Sequence, residues 1–293
     1  MTDNDGDLGK DTGFRENGAM TGIGLPGESG AAPVIARVAV SVPRLISVDE
    51  DAELPLASVG KLLLLAVLAR GITEGELDPT EIVELREDDR CGGSGLLGVL
   101  SGRRWAIGDL AVLTASVSDN TATNALLRRL GLDRVAEGAA ALGFARTRIL
   151  DRIREPRLPS HPPTFAVGTA GELARFAAGL DGRREWTRLL LGWMASNTDR
   201  SLVPALLPSE PEDLEIPGSV PAGTVWVANK TGTDVGVRAD VGVMIGAERR
   251  IGYAVLANGP AGGEHALVER ARQAGLAIGR LAGLPLAGLP LDR

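Results

Sequence analysis

Three short stretches carry residue types able to run nucleophilic serine chemistry without a histidine. Ser58-Val59-Gly60-Lys61 sets a hydroxyl three residues before an amine, at the front of the apolar run Leu62 to Leu68. Ser118-Asp119-Asn120 offers a second hydroxyl beside an amide. Lys230-Thr231-Gly232 follows the strand-like run Thr224 to Asn229 and is followed by Thr233. The chain has 31 basic residues, of which only Lys10, Lys61 and Lys230 are lysine. Arginine does not give up its proton in a protein, whereas a desolvated lysine does. Two of the three lysines therefore stand where a deprotonatable amine is useful.

A serine hydroxyl is a weak nucleophile and needs a base within hydrogen-bond reach. If a helix begins at Ser58, the Ser58 and Lys61 side chains share one face about a turn apart. The apolar run behind them would desolvate the amine and lower its pKa. The helix start also supplies N–H groups for an oxyanion, that of Ser58 among them. Ser118 and Asn120 face one cleft only if the chain turns between them. Ser118 then relays a proton and Asn120 binds a substrate amide. Neighbouring strand residues point to opposite faces, so Lys230 reaches toward Ser118 while the Thr233 backbone lines the cleft. Gly232 lets a substrate lie close against that strand. Each stretch alone also fits a plain structural role: a serine N-cap before a solvated lysine, a Ser/Asp/Asn helix start, a strand end entering a turn.

The elements that must position these residues are legible in the periodicity. Val34–Val42 and Arg44–Val48 read as strands separated by Pro43, and Ser58–Arg70 as a helix closed by Gly71. Helices follow at Ile107–Val117, Asn124–Leu130, Asp133–Leu142, Thr169–Leu180 and Glu185–Ala195, with a proline-rich loop holding Pro156 to Pro163 among them. Residues 207–223 form a linker. Thr224–Thr231, Val235–Ile245 and Arg250–Ala257 switch to period two, a three-stranded meander, and Glu264–Leu281 closes as a helix. Strands at both ends around a helical block predict an α/β (α+β) fold. Its antiparallel sheet is built from both chain ends (31–56 and 221–284), with flanking helices and an inserted helical lobe over 57–220. Residues 1–30 read as a disordered leader.

Composition narrows the function classes. A net charge of −7 argues against a nucleic-acid partner, which needs a basic face. Cys91 is the single cysteine, so no internal disulfide forms, and it reads as a semi-buried residue. His161 and His265 are scattered, which disfavours a histidine triad and any metal site. There is no dinucleotide or phosphate loop, so no cofactor is expected. No apolar run reaches the ~20 residues of a bilayer span. Residues 1–30 show no secretory signal, so the compartment is cytoplasmic if this start is native and extracytoplasmic otherwise. A small-molecule substrate in a cleft between the lobes is the expectation; the oligomeric state is open.

Together, in this order, the three stretches resemble the penicillin-recognising serine hydrolases, most closely the class A β-lactamases, whose signature is Ser-x-x-Lys, Ser-Asp-Asn and Lys-Thr-Gly. The resemblance spans roughly residues 33–282 and extends to Gly93-Ser94-Gly95, Asp109-Leu110 and Thr121 to Asn124. It implies Ser58 as the acylated nucleophile, Lys61 as its proton partner, Ser118 as proton relay and Asn120 as substrate contact. Lys230 and Thr231 would hold a substrate carboxylate, with Arg238 as a further cation, although at an unusual spacing. The N–H groups of Ser58 and Thr233 would form the oxyanion hole. Glu155 would position the deacylating water, within a family pattern Glu-Pro-x-Leu-Asn that here reads Glu155-Pro156-Arg157-Leu158-Pro159. Pro159 lacks the amide of that asparagine, so deacylation is expected to be weaker than acylation. The resemblance implies a β-lactam-hydrolysing enzyme. A D-alanyl-D-alanine peptidase or esterase with the same kit, or a penicillin-binding sensor without turnover, are the alternatives.

Overall fold

The computed structural model describes residues 36–209 and 214–285; the expected leader and the first residues of the Val34 strand lie outside them. In chain order the elements begin β1 (Arg37–Val42), β2 (Ile46–Val48), β3 (Leu54–Pro55), a 3₁₀ turn (Ala57–Gly60) and α1 (Lys61–Thr73). β4 (Ile82–Glu84), β5 (Arg104–Ala106), α2 (Ile107–Ser116), α3 (Asn120–Leu130) and α4 (Leu132–Ala141) follow. Next are β6 (Arg148–Ile149), β7 (Ala166–Gly168), α5 (Ala170–Ala178), α6 (Glu185–Ala195) and a second 3₁₀ turn (Val203–Leu206). β8 (Trp226–Asp234), β9 (Val237–Ile245), β10 (Arg250–Asn258) and α7 (Glu264–Leu281) are the last of the described elements.

The main sheet is antiparallel in the order β2-β1-β10-β9-β8, so the two chain ends meet where β1 pairs with β10, Arg37 opposite Asn258. Period-two alternation gives the sheet two apolar faces. Ala39, Trp226, Ala228, Val241 and Leu256 join the helical core, while Val40, Val227, Met244, Tyr253 and Val255 pack with α7 and the Val203 turn. The mixed α/β architecture is the expected one. One boundary differs: α5, placed by sequence in the helical insertion, packs against β10, β1 and β9.

Two local expectations change near the site. Ser58 does not open an α-helix; it sits in the 3₁₀ turn, and α1 proper starts at Lys61. Gly71 does not end α1, which continues to Thr73. A Cβ at Gly71 would come 2.8 Å from Leu77 Cδ1, so the glycine serves close packing inside the helix. α1 buries ten of its thirteen residues, Lys61 to Ala69 and Gly71. A helix apolar all round belongs at the centre of a core, and its first residue, Lys61, is dehydrated with it.

Candidate active site

The site begins at the strained turn before α1. Ala57, in left-handed backbone at φ 45°, turns the chain so that half-buried Ser58 faces outward while Ala57, Val59 and Gly60 stay buried. Such strain in a non-glycine residue costs about 1–3 kcal/mol and persists only where the surroundings over-determine it. The surroundings here include β8. An added Cβ on Gly232 would stand 2.4 Å from the Leu56 carbonyl oxygen, 2.9 Å from the Val59 nitrogen and 3.2 Å from the Ser58 nitrogen. Gly232 therefore seats β8 directly on the Ser58 turn; its bare backbone meets protein, where sequence reasoning expected substrate.

Lys61 is fully buried. Its Nζ donates to the Ser118 carbonyl (2.6 Å) and Asn120 Oδ1 (2.7 Å), and lies 3.0 Å from Ser118 Oγ. A neutral amine fits this environment, giving two hydrogens to the two carbonyl oxygens and its lone pair to the Ser118 hydroxyl proton. Burial drives its pKa well below the ordinary lysine value, and the Lys230 charge lowers it further. Ser118 and Asn120 both reach Lys61 because Ser118 adopts left-handed backbone, φ 54°, between α2 and α3. Asn120 also donates from Nδ2 to the Gly92 carbonyl (2.7 Å).

Asp119, which the sequence marks only as a helix start, is the anchor of this turn. Its buried carboxylate caps α3 through the Ala122 N–H (2.8 Å) and accepts from the Leu96 (2.6 Å) and Leu97 (2.8 Å) N–H groups. The glycine-rich loop is thereby tied to the residues on either side of Asp119.

Lys230 is buried beside the same turn and donates to the Thr231 carbonyl (2.8 Å). Burial lowers its pKa to about 8, with Asp199 and Asp240 opposing the drop, so it remains a cation at neutral pH. A cavity of about 150 Å³ is lined by Ser58, Ser118, Lys230, Thr231, Thr233 and Asn197, among others. It meets a larger cleft of about 480 Å³, containing Asn120, Glu155, Arg154 and Arg157, at Ser58, Ser94 and Thr233. Thr231 departs from its expected role. Its hydroxyl donates to the Asp199 carbonyl (2.8 Å) and accepts from Asn197 Nδ2 (3.0 Å), so its one hydrogen is already spent. Exposed Thr233 provides the free wall.

Arg238 is not brought into either cavity. Its guanidinium donates to the Asp234 and Val237 carbonyls, 2.7 Å each, in the β8–β9 turn. Its charge is felt by Glu264 at the start of α7. Glu155 lines the larger cleft but is exposed, and among the described residues its side chain makes no hydrogen bond or ion pair. The loop before it is held from behind: Asn124 donates to the Ile153 carbonyl (2.9 Å) and accepts from the Ile153 N–H (2.8 Å). Cys91 stands near Glu155 with its thiol pKa pushed up by burial, which makes it a poor nucleophile. Among the described residues, no group of three His, Cys, Asp or Glu side chains is placed to hold a metal ion.

Known proteins share this frame. The model of the beta-lactamase enzyme family matches residues 30–283. The beta-lactamase regulatory protein BlaB of Streptomyces cacaoi is 28% identical over 243 residues, covering 70% of this chain and 77% of that protein. Beta-lactamase CARB-4 of Pseudomonas aeruginosa is 30% identical over 155 residues, so the match takes in 49% of this chain and about half, 51%, of that enzyme. The crystal structure of a beta-lactamase from Sphaerobacter thermophilus superposes with a TM-score of 0.71 at 26% identity, over 85% of this chain and 92% of that one.

Proposed function

The chain belongs to the beta-lactamase enzyme family, and on that premise we propose that it is a serine hydrolase of the class A type, acylated on Ser58 by a β-lactam or related amide and deacylated slowly. The observation that carries this reading is the buried Lys61 amine, bonded to Ser118 and Asn120, on the helix that the Ser58 turn opens. As Oγ attacks the lactam carbonyl, the lone pair of Lys61, deprotonated because it is desolvated, turns from the Ser118 hydroxyl to take the Ser58 proton. The Ser58 and Thr233 N–H groups receive the oxyanion. Ser118, between Lys61 and the cavity, passes the proton to the departing nitrogen. Lys230 supplies positive charge for an anionic substrate group, and the free hydrogen of Asn120 Nδ2 binds the substrate amide.

Deacylation is the slow half. Glu155 would activate the water, but among the described residues its side chain has no hydrogen-bond or ion-pair partner, and Pro159 supplies no amide beside it. Misplacing one reacting group costs ~100-fold in rate. The same observation favours a second reading, a β-lactam sensor that stays acylated, and the similarity to a protein named as a beta-lactamase regulator supports it.

Intact-protein mass after mixing with excess benzylpenicillin tests both. A Ser58-dependent adduct, absent in Ser58→Ala and decaying over minutes or longer, is expected; Glu155→Gln should lengthen its life a further ~100-fold. An adduct that survives Ser58→Ala, or none at all in the unmodified protein, would overturn the acyl-serine reading. An adduct indifferent to Glu155→Gln would leave the sensor.

A further inference from the structure

Behind β8, on the face away from α1, lies a buried polar cluster that the chemistry above does not use. Cross-strand register sets Thr231 opposite Asp240, and Tyr253 opposite Gly242, whose other partner is Asn229. Asn229, Asp240 and Tyr253 are all fully buried. The Asp240 carboxylate accepts from Tyr253 Oη (3.0 Å), from Asn229 Nδ2 (3.0 and 3.2 Å) and from the Val203 N–H (3.1 Å). The chain of contacts continues forward. Asn197 Nδ2 donates to Asn229 Oδ1 (3.2 Å), to Thr231 Oγ1 (3.0 Å) and to the Asp199 carbonyl (3.0 Å). Asn197, Thr198 and Asp199 line the small cavity together with Ser58 and Ser118.

We propose that Asp240 is a positioning residue for this cavity: through Asn229, Asn197 and Thr231 it fixes the 197–203 wall, and its negative charge supports the Lys230 ammonium across the strand. Among the described residues all of its hydrogen bonds are with donors, and none is a cation, so a carboxylate is what the cluster is built to receive. A protonated Asp240 would need an acceptor and would displace at least one donor. The charged and titratable groups facing it are few. Tyr253 comes from β10, Lys230 from β8, and Asp199 and Arg200 from the segment before the Val203 turn. From α7, Arg272 reaches that segment but donates to the Ser201 carbonyl. Arg200 donates to the backbone carbonyls of Val227, Ala195 and Asn197, and so neutralises Asp240 only from a distance. Burial lifts the Asp240 carboxyl to about 7, which places its charge change near neutrality. As pH falls through that value the wall loses its anchor and Lys230 its counter-charge.

The composition makes this measurable. Tyr253 is the single tyrosine and Lys230 one of three lysines, so a protein labelled with ¹³C at tyrosine Cζ and lysine Cε gives one tyrosine signal and three lysine signals. The Tyr253 signal should titrate with a midpoint near pH 7 and become flat in Asp240→Asn. The Lys230 signal, assigned with Lys230→Met, should titrate at lower pH in Asp240→Asn, by on the order of half a pH unit or more. The role in the reaction rests on the acyl-serine reading, whereas these two titrations do not. A Tyr253 signal unchanged between pH 5.5 and 9 in the unmodified protein would overturn the proposal without any variant. So would a Lys230 midpoint that ignores Asp240→Asn. In the acylation assay, Asp240→Asn should move the alkaline limb for nitrocefin, which is anionic, more than that for uncharged p-nitrophenyl acetate. Equal loss on both substrates at every pH would reduce Asp240 to a structural residue.

Discussion

Lys230→Met should make the protein more stable at pH 7 while disabling it. Lys230 is 1% exposed, and among the described residues its ammonium has one hydrogen-bond partner, the Thr231 carbonyl. Its pKa is about 8 in the fold against an ordinary 10.5. Below pH 8 folded and unfolded chains both hold the proton, and the fold carries the whole cost of the buried charge. Between 8 and 10.5 the unfolded chain binds more protons, so stability rises with pH at about 1.4 kcal/mol per unit. Above that window both are neutral. The full rise is about 3 kcal/mol. Methionine fills the same unbranched space without a charge. Subtracting about 1 kcal/mol for the lost hydrogen bond leaves a gain near 2 kcal/mol at pH 7. For a body of this size that is a melting-temperature increase of roughly 4–8 °C. Scanning calorimetry from pH 6 to 10.5 provides the comparison. The unmodified protein should gain on Lys230→Met above pH 8, draw level at about pH 9.5 and lead by about 1 kcal/mol at pH 10.5, while acylation by benzylpenicillin in the variant collapses. A variant that melts lower at pH 7, or a gap constant with pH, would refute the view that this lysine sits at an energetic cost for the sake of its charge.

Asp119→Ala removes the acceptor of three N–H donors, those of Leu97 and Ala122 buried and that of Leu96 partly so, and should cost about 3–5 kcal/mol, lowering the melting temperature by about 10 °C. Acylation should fall with it, since Ser118 and Asn120 flank the lost anchor; calorimetry and adduct kinetics read the two effects. Gly232→Ala drives a Cβ to within 2.4 Å of the Leu56 oxygen, so β8 must back away from the Ser58 turn. Acylation should drop ~100-fold while the Lys61 titration, followed by ¹³C-lysine NMR, stays where it was.

Much of this was legible in the sequence because it is local. The apolar run after Lys61 announces a buried helix, and a buried helix with lysine first implies a desolvated amine. The period-two runs after Thr224 mark the meander within two or three residues of its ends. What escaped is set by contacts between distant segments. Ser58 lies in a 3₁₀ turn because β8 presses on it through Gly232, and no periodicity encodes that. Gly71 reads as a stop, yet Leu77 folding back onto it keeps the helix running. Arg238 alternates correctly for a strand, but the β8–β9 turn captures its guanidinium. Asn197 and Asp199 carry no pattern at all, since their partners Asn229 and Thr231 come more than thirty residues later. β3, β6 and β7 are too short to show alternation; they exist because each is held by its neighbours.

The pairing of β1 with β10 also governs when the site comes into being. The Ser58 turn, Lys61 and Ser118 are all synthesised before β8, yet β8 must lie on that turn and can do so only inside a sheet whose central strands are β10 and β9. Closure joins residues as distant as Arg37 and Asn258, and such long loops are slow to shut. A ribosome-bound chain lacking its last strands would hold every group named in the acylation step and assemble none of them. Reactivity toward a lactam would thus appear as a late, all-or-none event of biogenesis, and penicillin labelling of stalled nascent chains would date it.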